Sequence, residues 1–177
     1  MPGSGKSSTA DRVAESLGYR RFSSGDFMRA IAKTHDVSLD DINRMAETDP
    51  RYDHEVDEMV RKMGEKDDVV IDSRLAFHWI PESFKVFLTL DPRIAAERTF
   101  VHIRETGRAQ QTAESVEEVY RKLVARIASE NTRYRTLYGV SYDDESAFDL
   151  VIDTGKFPLE EVARQVVEAY QRWLASS

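Results

Sequence analysis

Cysteine is absent from the 177 residues, which rules out disulfide staples and thiolate metal sites and fits a reducing compartment. No apolar run approaches the roughly 20 residues needed to cross a bilayer. Met1 is followed at once by Pro-Gly-Ser-Gly-Lys rather than by a basic and then an apolar segment, so no secretory leader is read. The expectation is a cytoplasmic protein with no membrane partner. Positive charge is scarce: 25 Lys and Arg against 32 Asp and Glu leave a formal net charge of -7. Generic nucleic-acid binding, which needs clustered cations to displace counterions, is excluded on that ground. Any anionic ligand has to be held by local arginines. Repeats, low-complexity tracts and Pro/Gly-rich linkers are lacking too. With 41% hydrophobic and 32% charged residues, the chain reads as one soluble domain over 1–177.

What is present alternates between helical and strand-like patterns, which points to an α/β fold. Ala10, Val13, Ala14 and Leu17 share a helical face that Gly18 ends. A strand over Tyr19 to Phe22, a helix through Phe27, Ile31 and Ala32, and a capped helix start at Ser38 follow. Asp49 as N-cap and Pro50 at the first position open a helix that runs to Gly64. Asp68 to Asp72 and Phe84 to Leu90 are β-branched or aromatic, as strands covered by helices should be. Asp91-Pro92 starts another helix, and the polar stretch Arg104 to Thr112 reads as mobile. Ser115 and Glu118, in capping-box spacing, open a long helix through Ile127. A strand at Phe148 to Ile152 and a closing helix from Leu159 to Leu174 complete the chain.

Gly3-Ser4-Gly5-Lys6-Ser7-Ser8, leading into an amphipathic helix, supplies most of the G-x-x-x-x-G-K-[ST] phosphate loop. Glycines let backbone N–H groups curl around phosphate oxygens; Lys6 reaches the β- and γ-phosphates, and the Ser7 hydroxyl ligates Mg²⁺. The helix N-terminus adds its positive dipole end. The competing reading, a flexible Gly/Ser linker or cloning scar, does not account for the well-patterned helix that follows at once. With Gly5 as the second fixed glycine, the first falls one position before Met1, and the strand that feeds the loop is not in the sequence. Its neighbours are therefore expected to carry unpaired N–H and C=O groups, with reduced stability and weak or absent activity.

A phosphate loop alone fits GTPases, helicases, motors and small-molecule kinases alike. Ser24-Gly-Asp-Phe-Met-Arg29 follows the first strand, and Asp72-Ser-Arg74 ends the next, so both are expected at the carboxyl edge of the sheet beside the loop. From the loop through Ser24-Gly-Asp26 with Arg29, Val-Ile-Asp-Ser-Arg-Leu75 and Arg133-Tyr-Arg-Thr-Leu-Tyr-Gly139 to Asp149-Leu-Val-Ile-Asp-Thr154, the chain resembles the archaeal-type cytidylate kinases. The resemblance covers essentially the whole chain. It implies a P-loop three-layer α/β/α fold with a parallel sheet and a helical lid over about 98–112. It also implies that Ser24, Gly25, Asp26 and Arg29 contact the acceptor nucleotide and that Arg74 holds its phosphate.

The related kinases carry Arg-x-x-x-Asp-x-x-Arg after the lid; here Arg126, Glu130 and Arg133 reproduce it with Glu for Asp, on one helical face. A carboxylate accepts from the amino group of cytosine, a donor that uracil lacks, which makes Glu130 a specificity element. A solvated, salt-bridged helix face is the plain alternative for this trio. Ser73 stands where the family usually has glycine, and Asn131 where it often has arginine. Arg98, Arg104 and Arg108 are carried over as lid arginines, with a solvated reading beside it for the last two. Asp72 reads either as a metal-water ligand or as a cap for the next helix. His35, His54, His78 and His102 lack metal-ligand spacing or partners and read as structural or surface residues.

The resemblance implies phosphoryl transfer from Mg-ATP to CMP or dCMP, with Lys6, Arg74, Arg126 and Arg133 supplying positive charge. It further implies a protein that is a monomer or weak dimer and has ATP and a pyrimidine nucleoside monophosphate as its partners. Two other readings stay open: a kinase for another acceptor, where a hydroxyl would need a base such as Asp26, and a non-catalytic nucleotide-binding domain.

Overall fold

The computed structural model describes residues 3–106 and 115–176. Helix α1 (Lys6–Leu17) follows the glycine loop and stops at Gly18, whose left-handed backbone caps it. Strand β1 (Arg20–Ser23) leads directly into α2 (Ser24–Thr34), so Ser24, Gly25 and Asp26 form the first turn of a helix rather than a separate turn. In α3 (Leu39–Ala46) the Ser38 hydroxyl accepts from the Asp41 amide at 3.0 Å. Helix α4 (Arg51–Gly64) begins one residue later than its sequence suggests, with Pro50 in the cap position. The Asp49 carboxylate still accepts from the Arg51 amide at 3.1 Å, so it caps the first turn as expected of that residue type.

Strand β2 (Val69–Asp72), a short helix α5 (Ala76–Trp79) with no counterpart in the sequence reading, and β3 (Val86–Thr89) come next. Helix α6 (Pro92–Thr106) continues through Arg98 and Arg104. The polar stretch read as mobile is thus helical through Thr106, and its remainder, with Arg108, lies outside the described residues. Helix α7 (Val116–Tyr138) has Ser115 accepting from the Glu118 amide at 3.2 Å. Strand β4 (Leu150–Asp153) and α8 (Leu159–Ser176) close the chain. Among the described residues no helix is long and apolar enough to cross a membrane.

The strands pair in parallel, β1 with β2 and β3 with β4, in two separate ladders. Successive strand residues face opposite sides, and the cores follow that alternation. Val70 and Leu88 pack with Val13 of α1 and Val162 and Val166 of α8. Ile71 faces the other way, onto Ile31, Ile42, Val56 and Val60 of α2 to α4, and Phe87 packs with Leu75, Tyr134 and Tyr142. Helices therefore cover both faces, the three-layer α/β/α arrangement. Between β2 and β3 lies a cavity of about 380 Å³, lined by Val69–Asp72, by Val86 and Leu88, and by apolar side chains of α1, α5 and α8. Among the described residues, β2 and β3 share no ladder.

Candidate active site

Gly3 and Gly5 both adopt left-handed backbone, with φ of 75° and 76°. A Cβ at Gly3 would stand 2.9 Å from the Ala95 side chain, so the loop can lie against α6 only as glycine. Gly5 gives α1 no side-chain cap, and the first turn carries no acid. That leaves a helix N-terminus whose dipole is not neutralised by its own sequence, a setting suited to an anion.

Asp72, at the carboxyl end of β2, organises the loop. Lys6 Nζ donates to Oδ1 at 2.5 Å, and Ser7 Oγ and Arg21 Nη2 donate to Oδ2 at 2.6 and 3.1 Å. Ser24 Oγ donates to the Asp72 carbonyl at 3.4 Å. Burial alone would raise the Asp72 pKa, but Lys6, Ser7 and Arg21 outweigh it and hold the carboxyl below its usual range. Burial lowers the Lys6 pKa, with the Asp72 charge pulling against it and Arg74 adding to the fall. Asp72 therefore takes neither the cap role, since α5 starts four residues later, nor an isolated position. It joins Ser7 as a pair of hard oxygen donors at the loop, the chemistry that suits Mg²⁺ shared with phosphate oxygens and water.

A second cluster stands beside the first. Glu130 of α7, with only 4% of its side chain exposed, ion-pairs through Oε2 with Arg74 Nε at 2.6 Å and accepts at Oε1 from Arg126 Nε at 2.8 Å. Burial pushes its carboxyl up, yet Arg74 and Arg126 win and its pKa is lowered. Arg133, one turn further along α7, ion-pairs through Nε with Asp53 of α4 at 2.6 Å. The trio Arg126, Glu130 and Arg133 is thus a half-buried to buried network tied to the β2 loop and to α4, not a solvated face.

Other positions named from sequence sit further out. Arg29 pairs with Asp26 across the first turns of α2, both about half exposed, and its guanidinium lies over Gly25. Asp26 also faces Arg21 at 3.6 Å. Both carboxylate oxygens of Asp26 are thus engaged by arginines, Oδ1 by Arg29 and Oδ2 by Arg21, rather than left facing a hydroxyl acceptor. Arg98 donates to the Thr154 carbonyl at 3.2 Å, Arg104 stacks on Phe100, and Ser8 lies exposed on α1. Ser73 Oγ accepts from the Leu75 amide, and Asn131 donates to Asp143, away from the cluster. His54 meets Tyr138, His35 meets Tyr52 and His78 meets Trp79. No group of three or more metal-ligating side chains occurs among the described residues.

Sequence reading missed Arg21 and Asp53. Arg21 sits in a strand pattern and reaches Asp72 from 51 positions away; Asp53 looks like an ordinary acid in the first turn of α4. Neither partner is visible in local spacing.

A family model described as an AAA domain matches residues 1–117. The chain is 33% identical over 171 residues to the cytidylate kinase of Aeropyrum pernix, covering 97% of this chain and 95% of that protein. To the cytidylate kinase of Halobacterium salinarum it is 31% identical over 174 residues, covering 96% and 87%. The chain belongs to the cytidylate kinase family. Its fold also matches the crystal structure of an uncharacterized protein from Eubacterium ventriosum, with a TM-score of 0.68 at 15% identity over 97% of this chain and 94% of that one. The family model takes in the phosphate loop, the start of α2 and the Asp72–Arg74 segment, and the near full-length match to the relatives brings in the arginines of α7.

Proposed function

We propose that this protein transfers the γ-phosphoryl group of ATP to CMP or dCMP, giving ADP and the corresponding diphosphate. The observation that carries the reading is the juxtaposition of two clusters: a phosphate loop anchored on Asp72, and, two residues on, Arg74 paired with Glu130, which also holds Arg126. Family membership supplies the reaction class, and the relatives' names supply the acceptor.

In the reaction the bond from the γ-phosphorus to the β–γ bridging oxygen breaks as a phosphate oxygen of the acceptor bonds to the γ-phosphorus. That oxygen is already anionic, so no base need be positioned, and catalysis rests on alignment and on cations around the moving group. Lys6 would hold the β- and γ-phosphate oxygens, with the backbone N–H groups of Gly3 to Ser8 around them. Arg74 would hold the acceptor phosphate, and Arg126 and Arg133 would face the equatorial oxygens. Ser24, Gly25, Asp26 and Arg29 would line the acceptor side. Glu130 would accept from the cytosine amino group while keeping its arginines. Ser7 and Asp72 would hold Mg²⁺, which would supply positive charge against the phosphates. We place the enzyme in the cytoplasm, as a monomer or weak dimer acting on free nucleotides.

The test is ADP release from Mg-ATP with CMP, dCMP, UMP, AMP or no acceptor. Stimulation by CMP or dCMP well above the acceptor-free rate is expected. A folded, ATP-binding protein that no monophosphate stimulates would refute the reading.

A further inference from the structure

Helix α4 carries two buried acids one turn apart, Asp53 and Asp57, with 4% and 6% of their surfaces exposed. Nothing in the reaction outlined above uses them. Asp53 grips one edge of the Arg133 guanidinium: Oδ2 lies 2.6 Å from Nε, and Oδ1 accepts from Nη2 at 3.3 Å. Both side chains are under a tenth exposed. One hydrogen bond from Nη2 and a close charge contact at Nε hold the planar fork from one edge, which leaves donors on its other edge for another anion. The Arg133 fork also lies near the Tyr134 ring, 5.4 Å from its centroid. This arginine is therefore pre-aimed from α4, the helix packed on α2, although it is rooted in α7.

Resting on the kinase reading above, we propose that Asp53 is the positioning residue for Arg133, holding it where it meets the transferring phosphoryl group. Asp53 touches no reacting atom and acts only through the arginine. The groups acting on its charge are Arg133 and Glu130 of α7, Asp57 on its own helix, and the nearby hydroxyls of Tyr134 and Tyr138. Burial pushes the Asp53 carboxyl up, Arg133 pulls it down and Asp57 adds to the rise, leaving it at about 6. Above that pH the grip is between two charges. Below it the acid takes a proton and the grip weakens.

The experiment compares wild type, Asp53→Asn and Asp53→Glu in CMP-stimulated ADP release from pH 5 to 8. Wild type should lose kcat below about pH 6, the range in which a buried acid of this kind protonates. Asp53→Asn should have kcat down by about 10- to 100-fold at pH 7.5, the scale of a misplaced catalytic group, with KM for ATP little changed and the acid limb gone. Asp53→Glu should recover part of both. In the nucleotide-free proteins, the Arg133 Nε–H resonance should shift with the same midpoint in wild type and stay flat in Asp53→Asn. If Asp53→Asn keeps kcat within about twofold and keeps the acid limb, or if the Arg133 resonance does not titrate, Asp53 is only a strut and the proposal is overturned. Absence of acceptor stimulation in wild type, by contrast, would refute the kinase reading itself; the Arg133 resonance would then still decide whether Asp53 governs the arginine.

Discussion

Arg74→Ala is expected to cut CMP-stimulated ADP release by about 10²- to 10³-fold, the usual loss when one preorganised donor is removed from a phosphoryl or oxyanion site, while the acceptor-free rate stays near its starting value. The same change should also destabilise the fold. Arg74 is one of two cations on Glu130, whose side chain is only 4% exposed, and stripping a partner from a buried ion network costs about 3 kcal/mol. Urea unfolding measures that loss. Combining Arg74→Ala with Glu130→Gln should recover much of the stability, because the buried group left behind is then neutral. It should not recover the CMP-dependent rate. If the double variant regained both, Arg74 would be a structural ion-pair partner and its place on the acceptor phosphate would be wrong.

Lys6→Met should behave differently in kind. The thioether side chain keeps much of the apolar stem and drops the charge. Asp72, with 1% of its side chain exposed, retains Ser7 and Arg21 as donors but loses one of its two cations, so stability should fall on the same scale as in Arg74→Ala, about 3 kcal/mol. Activity should fall by about 10²-fold or more with every acceptor, and acceptor-free ATP hydrolysis should fall with it, because Lys6 serves the donor nucleotide. A variant that lost CMP-dependent turnover but kept full acceptor-free hydrolysis would place Lys6 on the wrong substrate.

Much of this architecture was legible because local patterns dictate local structure. Apolar residues at helical spacing, Ser38 and Ser115 as caps and Gly18 as a stop set the helices, and β-branched runs set β2 and β3. The boundaries slipped where backbone details decide them. Ser24 to Asp26, rich in turn formers, joined α2 because the Ser23 position already supplies the extended cap. Four-residue α5 was not legible, since a single turn carries no period. At the site, Lys6, Ser7, Asp72 and Arg74 could be placed from motif and strand end alone. The grips of Arg21 on Asp72 and of Asp53 on Arg133 span 51 and 80 positions. Pairings at that distance exist only once the helices have packed.

The two separate ladders bear on how the molecule comes apart. β1 and β2 are bound to each other and to α1, α2 and α4, whereas β3 and β4 are bound to each other, with β4 also against α8. Among the described residues no ladder crosses the cavity, and the halves meet through side chains, with α1 packed on α8, Arg12 ion-paired with Glu160 at 3.0 Å and the Tyr19 and Tyr170 hydroxyls 3.3 Å apart. Backbone ladders that do not cross a boundary cannot enforce cooperativity across it, so each ladder is expected to open as a unit of its own. Native-state hydrogen exchange should then sort the amides of Arg20–Ser23 with Val69–Asp72 into one opening unit, and those of Val86–Thr89 with Leu150–Asp153 into another. The phosphate loop, lying against Asp72 on one side and Ala95 on the other, straddles that seam.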